Sequence, residues 1–254
     1  MPPLFRRKRP QPTQHLSVGE QSKEQQEELP EPEAMLTAEL PLIYAPTSAE
    51  KWLAAVTRLE EVSAYKRLSY KLLDLKPGNT VLDLGCGLGD DARALAEFVA
   101  PTGRVVGVDV EEKMIEAALA RQAEEPTVPD VEFARADGEQ LPFADDTFDA
   151  VRIDRMLQHA DAPDRVLAEV YRALKPGGRV VYATCSVLRE ENEDRLKGLM
   201  EAHPNLLPLD AAHMARSAAM PELEACASTL GPGLRLSPRR SGTDGFGIAA
   251  LLKG

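Results

Sequence analysis

The stretch Val81-Leu-Asp-Leu-Gly-Cys-Gly-Leu-Gly89 decides the fold, because a short apolar run passes directly into a glycine-rich turn. A helix is predicted to begin immediately afterwards, near Asp90 or Asp91. A strand, a tight turn and a helix in this order form the opening unit of an open α/β sheet, which binds ligands at the carboxyl ends of its strands. Because glycine lets the backbone approach a ligand closely, we expect a binding site at this turn.

Strands and helices are predicted to alternate along the rest of the chain. Short runs rich in β-branched residues predict strands at residues 80–84, 105–109, 131–134, 148–153 and 179–184. Apolar residues at helical spacing predict helices at residues 91–99, 112–124, 163–174 and 190–202. Because strands separated by helices pair in parallel through crossovers, the sequence predicts a doubly wound, Rossmann-like α/β sheet.

The C-terminal part of the chain departs from this alternation. Residues 234–236 and 246–252 are apolar and are joined by a segment rich in glycine, serine and arginine, so they predict an antiparallel hairpin. The complete prediction is a mostly parallel, seven-stranded sheet with this hairpin at one edge.

The N-terminal part has a different character. Residues 1–34 are rich in proline, glutamine and glutamate and poor in bulky apolar side chains, so they are predicted to be a disordered tail. Residues 35–254 are predicted to form one domain, of which residues 35–78 are a helical lead-in.

The overall composition limits the class of protein. The apolar runs are all far shorter than the roughly 20 residues that a membrane-spanning helix needs, so no membrane partner is expected. The net charge of −11 disfavours a polyanionic partner for the molecule as a whole, because nucleic-acid affinity comes mainly from cationic side chains. The three cysteines, Cys86, Cys185 and Cys226, are widely spaced, which predicts a reducing, cytoplasmic location.

The charges around the glycine turn indicate which kind of ligand it binds. A dinucleotide site has G-x-G-x-x-G spacing and leaves the helix N-terminus free for a pyrophosphate. Here the glycines alternate within residues 85–89, and the carboxylates of Asp83, Asp90 and Asp91 flank them. Like charges at about 4 Å repel by roughly 1 kcal/mol even in water. We therefore expect a ligand that bears an ammonium and a sulfonium group in preference to a pyrophosphate.

Carboxylates also follow the next two predicted strands. Asp109 ends the second strand, where a carboxylate can accept hydrogen bonds from both hydroxyls of a ribose. Asp137 follows the third strand and is placed to accept from an adenine amino group, while Gly138 lets the backbone lie close. Each aspartate alone is also consistent with a helix cap or a turn. Their order at successive strand ends favours a nucleoside site.

The sequence resembles class I S-adenosylmethionine-dependent methyltransferases over about residues 65–182, in particular the ubiquinone/menaquinone-biosynthesis type. The strings that resemble this family lie at residues 81–89, 103–109, 136–143, 146–151 and 174–179. The resemblance implies S-adenosylmethionine as the cofactor and an edge hairpin, with Val110 and Met114 flanking the adenosine. The residues expected to contact the cofactor are Asp83, Gly85, Cys86, Gly87, Gly89, Asp109, Val110, Met114, Asp137, Gly138 and Asp154.

The methyl acceptor is expected beyond the fourth strand, near residues 154–159, because this segment resembles the wall of the substrate cavity in small-molecule relatives. Methyl transfer is an in-line displacement at a carbon that the sulfonium already activates, so the protein mainly aligns the acceptor and excludes water. His159 is a candidate general base, and a helix-capping or pocket-wall role is the alternative. The four histidines show no metal-ligand spacing, so no metal is expected.

The C-terminal third resembles a second family, the bacterial ribosomal RNA cytosine-5 methyltransferases, through residues 182–192 and 236–246. In that family a cysteine adds to C6 of cytosine and makes C5 nucleophilic. Cys185 occupies the position of this cysteine, and Asp154 fits the aspartate that contacts the base. The second cysteine of that family is replaced by Leu157. A buried small residue at a strand end is the alternative role of Cys185.

The residues thus leave three functions open. Methyl transfer to a small-molecule acceptor is favoured by the acidic composition and by the segment after the fourth strand. RNA cytosine-5 methylation is favoured by Cys185 and by the nearby Arg235, Arg239 and Arg240. The third function is binding of S-adenosylmethionine without catalysis, because a fold does not fix a function.

Overall fold

The computed structural model describes residues 60–237, 239–241 and 245–254. The α-helices in this part of the chain are α1 (Glu60–Leu72), α2 (Asp90–Val99), α3 (Glu112–Glu124), α4 (Pro163–Ala173), α5 (Glu193–Ala202) and α6 (Ala211–Ala218). The strands are β1 (Thr80–Leu84), β2 (Arg104–Asp109), β3 (Val131–Arg135), β4 (Phe148–Asp154), β5 (Leu174–Thr184), β6 (Leu206–Pro208), β7 (Leu234–Leu236) and β8 (Phe246–Lys253). The predicted tail and the first part of the predicted lead-in, up to residue 59, lie outside the described residues.

The described strands form one sheet in the order β3-β2-β1-β4-β5-β8-β6, and β7 also pairs with β8. Strands β1 to β5 are parallel to one another, whereas β6, β7 and β8 pair antiparallel. The predicted class, a mostly parallel Rossmann-like α/β sheet with an antiparallel part, is confirmed.

The sheet differs from the prediction in its antiparallel part. It has eight strands instead of seven, because Leu206–Pro208 pairs with the end of β8. Strand β8 is also not at the edge, since it pairs with β5 on one side and with both β6 and β7 on the other. The side chains from Ile248 to Leu251 are almost completely buried, so this strand needs neighbours along both of its edges.

Element boundaries shift where local signals compete. Helix α4 ends at Ala173, and Leu174 already belongs to β5 and pairs with Phe148. Helix α5 begins at Glu193 instead of residue 190. Helix α6 was not predicted from the sequence; it begins after Asp210, whose side chain accepts a hydrogen bond from the His213 N–H and caps the helix.

The sheet separates two apolar layers. On one face, strand residues such as Val81, Val105, Ala150 and Val181 pack with α1, α2 and α6. On the other face, residues such as Leu82, Val106, Val151 and Val180 pack with α4 and α5. Because side chains alternate along a strand, Asp83 of β1 and Arg152 of β4 lie on the first face, toward α1 and α2. None of the helices in the described ranges is long and apolar enough to cross a membrane.

Candidate functional site

A cavity of about 780 Å³ opens at the carboxyl ends of the central parallel strands. Ligand sites typically have volumes of about 300–1,000 Å³. Residues that follow β1, β2, β4 and β5 line the cavity, among them Gly85, Asp109, Met156 and Cys185. These residues meet because parallel strands bring all of their carboxyl ends to the same edge of the sheet.

The glycine turn after β1 forms one wall of the cavity. Gly85 and Gly87 have φ angles of 76° and 52°, in the left-handed region that glycine adopts without strain. The backbone N–H of Gly85 donates to the carbonyl of Val108 at 2.8 Å and ties the turn to β2. A Cβ atom on Gly85 would lie 2.6 Å from the Cγ atom of Met156, so a side chain at this position would collide with the wall opposite.

Asp109 lies at the end of β2 and supports the same turn. Its Oδ2 atom accepts a hydrogen bond from the Gly87 N–H at 3.0 Å, and its Oδ1 atom accepts from the Glu111 N–H at 3.0 Å. Each oxygen of a carboxylate can accept two hydrogen bonds, so both oxygens retain one acceptor site. The neighbouring Val110 and Met114 also line the cavity, and Val110 is 54% exposed. This wall therefore combines a bidentate acceptor with an apolar surface.

A buried ion cluster formed by Lys66, Asp83, Asp91, Arg152 and Asp154 lies under the glycine turn. Arg152 donates to Asp83 at 3.0 Å through Nη1 and to Asp154 at 2.8 Å through Nη2. Lys66 donates to Asp91 at 2.7 Å. The side chains of Arg152 and Asp83 are 2% and 1% exposed, so this cluster is part of the protein interior.

Helix α1 adds further hydrogen bonds to the buried ion cluster. The hydroxyl of Tyr65 donates to both oxygens of Asp154, at 2.9 and 3.2 Å, and the hydroxyl of Tyr70 donates to Asp91. The hydroxyl of Ser69 accepts from Nε of Arg152 at 3.0 Å. Burial raises the pKa of both tyrosines, which keeps the hydroxyls protonated as donors.

The carboxylates of this cluster have opposite pKa shifts. Burial raises the pKa of Asp83 to about 6, although Arg152 acts in the other direction. Burial also opposes ionisation of Asp91, but Arg152 and Lys66 outweigh it and lower the pKa of Asp91 below its usual range. The cluster therefore contains one firmly ionised carboxylate and one that titrates in mildly acidic solution.

The structure corrects the electrostatic interpretation of the sequence. Asp83 and Asp91 are neutralised by the buried ion cluster. Asp90 is paired with Arg93 and Arg121, each at 2.8 Å. The three carboxylates around the glycine turn thus do not form an uncompensated negative surface, and Asp109 is the acidic side chain best placed to accept from a ligand.

The cavity contains most of the residues predicted from the sequence. Those that line it are Gly85, Cys86, Gly87, Asp109, Val110, Met114, Gly138, Asp154, His159 and Cys185. Asp83, Gly89 and Asp137 do not. Asp83 is bonded to Arg152 beneath the wall, Gly89 packs against Phe133, and Asp137 is exposed and accepts from the Glu139 N–H.

The sequence reasoning did not identify Lys66, Arg152 and Arg155, which also line the cavity. A signal for Arg152 was present, because a charged residue in the middle of a buried parallel strand needs a partner of opposite charge. That partner is Asp83, its register partner on β1. Lys66 comes from α1, and its sequence position gives no comparable signal.

The side of the cavity toward β5 has different chemistry. Gln158, His159 and Cys185 line it together with Arg155, so it presents an amide, an imidazole, a thiol and a guanidinium. Cys185 is exposed. Asp154 lies at the base of this side, where its carboxylate already accepts from Tyr65 and Arg152.

The fold and the site define the class of α/β proteins that hold a nucleoside-containing ligand at the carboxyl edge of a Rossmann-like sheet, with a glycine turn after the first strand and a carboxylate after the second. Residues 75–227 match the family model described as a methyltransferase domain. This match covers more than half of the chain, and the chain belongs to this family.

The chain is similar to several known proteins over its central part. It is 41% identical over 130 residues to an uncharacterized 37.1 kDa protein in transposon TN4556 of Streptomyces fradiae, covering 51% of this chain and 37% of that protein. It is 39% identical over 117 residues to the ubiquinone/menaquinone biosynthesis C-methyltransferase of Hydrogenovibrio crunogenus, covering 46% of each. The chain therefore spans less than half the length of either relative.

The fold is also that of solved methyltransferase structures. A SAM dependent methyltransferase from Aquifex aeolicus superposes with a TM-score of 0.57 at 19% identity, covering 81% of this chain and 97% of that chain. Membership of this methyltransferase family supports S-adenosylmethionine as the cofactor.

The residues of the cavity fit this cofactor. The free acceptor sites of Asp109 suit the two hydroxyls of a ribose, and the apolar surface of Val110 and Met114 suits a nucleobase. The absence of a side chain on Gly85 and Gly87 leaves the backbone open to close approach at the wall between the two sides of the cavity.

Proposed function

We propose that the protein is an S-adenosylmethionine-dependent methyltransferase that acts on a small-molecule acceptor. The observation that supports this best is that a single cavity has two different sides. Asp109, Val110 and Met114 form a nucleoside side, and Arg155, Gln158, His159 and Cys185 form a polar side next to β5. S-adenosylmethionine supplies a methyl group activated by a sulfonium when it is bound.

The protein's contribution in this proposal is alignment. Asp109 fixes the nucleoside side, while the glycine turn is held rigid by its hydrogen bonds to β2. The buried ion cluster keeps α1 and α2 in register with β1 and β4 beneath the turn. Rigid walls on both sides hold two reactants in a reactive orientation, which replaces a bimolecular encounter by an intramolecular one. His159 is the candidate to accept a proton from the acceptor.

The small-molecule class of the acceptor is supported by two observations. One relative is named as a C-methyltransferase of ubiquinone/menaquinone biosynthesis. The net charge of −11 also disfavours a polyanionic substrate. The cysteine spacing supports a cytoplasmic location as part of the same proposal.

Calorimetric titration with S-adenosylmethionine and S-adenosylhomocysteine tests the cofactor side. We expect both to bind and NAD not to bind. The Asp109→Asn variant replaces one acceptor oxygen by a donor, so we expect it to weaken binding by about 10- to 100-fold. Asp164→Asn, an exposed aspartate outside the cavity, is the matched control and leaves binding unchanged. Tighter binding of NAD, or an unchanged affinity in Asp109→Asn, rejects the proposal.

A second candidate function is RNA cytosine-5 methylation, favoured by the observation that Cys185 is exposed and lines the cavity. A thiolate there is placed to attack a base that enters from the β5 side. The engagement of Asp154 with Tyr65 and Arg152 makes that aspartate less available to a base.

RNA that contains 5-fluorocytosine distinguishes the two functions. If the protein acts on small molecules, its incubation with this RNA and the cofactor gives no protein species of lower mobility on a denaturing gel. Cys185→Ser then retains methyl transfer to a metabolite. A covalent adduct that disappears in Cys185→Ser establishes the RNA function instead. Cofactor binding without transfer to either kind of acceptor points to a non-catalytic binding protein.

A further inference from the structure

Arg155 differs from Lys66 and Arg152, two other cationic side chains that line the cavity. Lys66 and Arg152 are both hydrogen-bonded to carboxylates of the buried ion cluster. The guanidinium of Arg155 makes no hydrogen bond to any residue that the structure describes, and its Nε atom is buried without a hydrogen-bond partner. Its nearest carboxylate oxygen is Oδ2 of Asp154, at 3.5 Å. The Nη donors of Arg155 are therefore available to a ligand.

The backbone of Arg155 is held in an unusual conformation. Its φ angle is 52°, in the left-handed region that a residue with a side chain rarely adopts. The conformation is fixed by a hydrogen bond of 2.9 Å from its N–H to the carbonyl of Ala183 on β5. Strained residues held by their surroundings are concentrated at binding and active sites. The strain here turns the chain immediately after β4, at the edge of the cavity.

The side chain of Arg155 is held as firmly as its backbone. The guanidinium lies 5.7 Å from the centre of the Tyr65 ring, and only 14% of the side chain is exposed. Burial opposes its charge, but the carboxylate of Asp154 outweighs this and raises the pKa of Arg155, so the group is cationic. A fixed cation with unused donors is a preorganised binding group.

The position of Arg155 assigns it to the acceptor. The nucleoside side of the cavity is formed after β2, by Asp109 and its neighbours. Strand order places β1 and β4 between β2 and β5, and Arg155 follows β4 and is bonded to β5. Arg155 thus lies across the cavity from the nucleoside side, in the company of His159 and Cys185.

We propose that Arg155 determines substrate specificity by binding a carboxylate of the methyl acceptor, so that the substrates are small carboxylic acids. This inference rests on the proposed function. The planar fork of a guanidinium matches the two oxygens of a carboxylate and forms paired, charge-assisted hydrogen bonds with them. Such a contact would engage the unused Nη donors and would orient the acceptor relative to the glycine turn.

A purely structural role for Arg155 makes a different prediction. The buried ion cluster contains three carboxylates, Asp83, Asp91 and Asp154, and two cations, so Arg155 brings its charge to balance. In that role, replacement of Arg155 lowers stability without changing which ligands bind. In the proposed role, replacement removes the preference for anions even where the protein remains folded.

Titration calorimetry of the complex with S-adenosylhomocysteine tests this inference with benzoate, phenyl phosphate and benzamide as probes. We expect benzoate to bind more tightly than benzamide by about tenfold or more, and more tightly than phenyl phosphate. In Arg155→Gln the affinity for benzoate falls by about 10- to 100-fold while that for benzamide is unchanged. Arg155→Lys retains the charge but loses the fork, so it gives an intermediate loss.

The controls separate this inference from the proposed function. Arg165→Gln removes an exposed arginine outside the cavity and leaves every affinity unchanged. S-adenosylhomocysteine binds both Arg155 variants within about threefold of the original protein, which also shows that they fold. Equal affinities for benzoate and benzamide, a preference for phenyl phosphate, or a preference for benzoate that survives in Arg155→Gln overturns the inference. Failure of S-adenosylhomocysteine to bind the unaltered protein rejects the proposed function as well.

Discussion

At the scale of single residues, Arg152 joins the strands and helices that lie beneath the glycine turn. It is buried between Asp83, Asp91 and Asp154, and its guanidinium hydrogen bonds hold β1 and β4 to helix α1. Removing charges from water is costly, and the cost is offset only when each charge has well-placed partners. Loss of one partner then leaves the others buried without compensation. The rigidity of the glycine turn therefore depends on a residue beneath it.

We expect Arg152→Met to lower the free energy of unfolding by about 3–5 kcal/mol at pH 7. Without Arg152, the ionised form of the neighbouring carboxylates is unfavourable in the folded protein. The pKa of Asp83, already raised by burial to about 6, rises further without Arg152, so Asp83 becomes neutral in mildly acidic solution. The loss of stability should therefore shrink as the pH falls from 7 to 5, as measured by urea unfolding at each pH.

An exposed arginine provides the comparison for this experiment. Arg104 is paired with Glu132 on the surface, where their side chains are 44% and 56% exposed. Arg104→Met should cost less than about 1 kcal/mol, with no comparable recovery at pH 5. A loss in Arg152→Met that is the same at pH 5 and pH 7 contradicts the role given to Asp83.

At the scale of elements, helix α5 adds a second link between the antiparallel and parallel parts of the sheet, beside the pairing of β8 with β5. Glu193, in the first turn of α5, accepts from Nε and Nη2 of Arg235 on β7 at 2.6 and 2.7 Å. It also accepts from the hydroxyl of Ser228. The Glu193 side chain is only 3% exposed, so this bidentate ion pair is poorly screened by water. It connects elements that are 42 residues apart in the sequence.

Glu193→Gln should lower the free energy of unfolding by about 1–3 kcal/mol at pH 7. The hydrogen bonds from Arg235 hold the pKa of Glu193 at about 2, below the usual value of 4.5. A carboxylate with a lowered pKa stabilises the fold above its usual pKa, and this stabilisation is lost as the pH falls toward the lowered value. The difference in the free energy of unfolding between the original protein and Glu193→Gln should thus be constant from pH 7 to pH 5. It should diminish below about pH 4.5, as followed by urea unfolding.

Asp194→Asn is the matched control on the same helix turn. Asp194 is paired with Arg189, and both side chains are more than 40% exposed. Its replacement should change stability by less than about 1 kcal/mol. If Asp194→Asn costs as much as Glu193→Gln, the attachment through Arg235 is not what stabilises this part of the sheet.

At the scale of the whole molecule, the sequence predicted the structural features that repeat along the chain or that depend on neighbouring residues. The alternation of apolar runs gave the parallel strands, and the bounds of β1 were predicted as 80–84 and are observed there. The glycine turn and Asp109 were predicted to form the site, and they line the cavity. These features depend on neighbours in the chain or on the rule that parallel strands end at one edge.

The remaining features depend on pairing between distant residues. The hydrogen bond from Tyr65 to Asp154 joins residues 89 positions apart, and that from Arg152 to Ser69 spans 83. No local pattern distinguishes such a tyrosine from one in the core. The three-residue strand β6 was missed for the same reason, because it is defined by its pairing with β8 and not by its own composition.

Binding of the cofactor product should stabilise the whole domain against heat. A ligand that binds only the folded state at 100 times its Kd adds about 2.7 kcal/mol of stability. In a domain of this size 1 kcal/mol corresponds to roughly 2–4 °C in Tm, so S-adenosylhomocysteine should raise Tm by about 5–10 °C. NAD at the same concentration should leave Tm unchanged, since the glycine turn lacks the G-x-G-x-x-G spacing of a pyrophosphate site and has the Asp109 carboxylate bonded to it. Asp109→Asn should reduce the increase at a fixed concentration of S-adenosylhomocysteine, because the nucleoside then loses one of its acceptors. An equal increase with NAD would mean that the glycine turn recognises the nucleoside shared by both ligands and does not discriminate against phosphate.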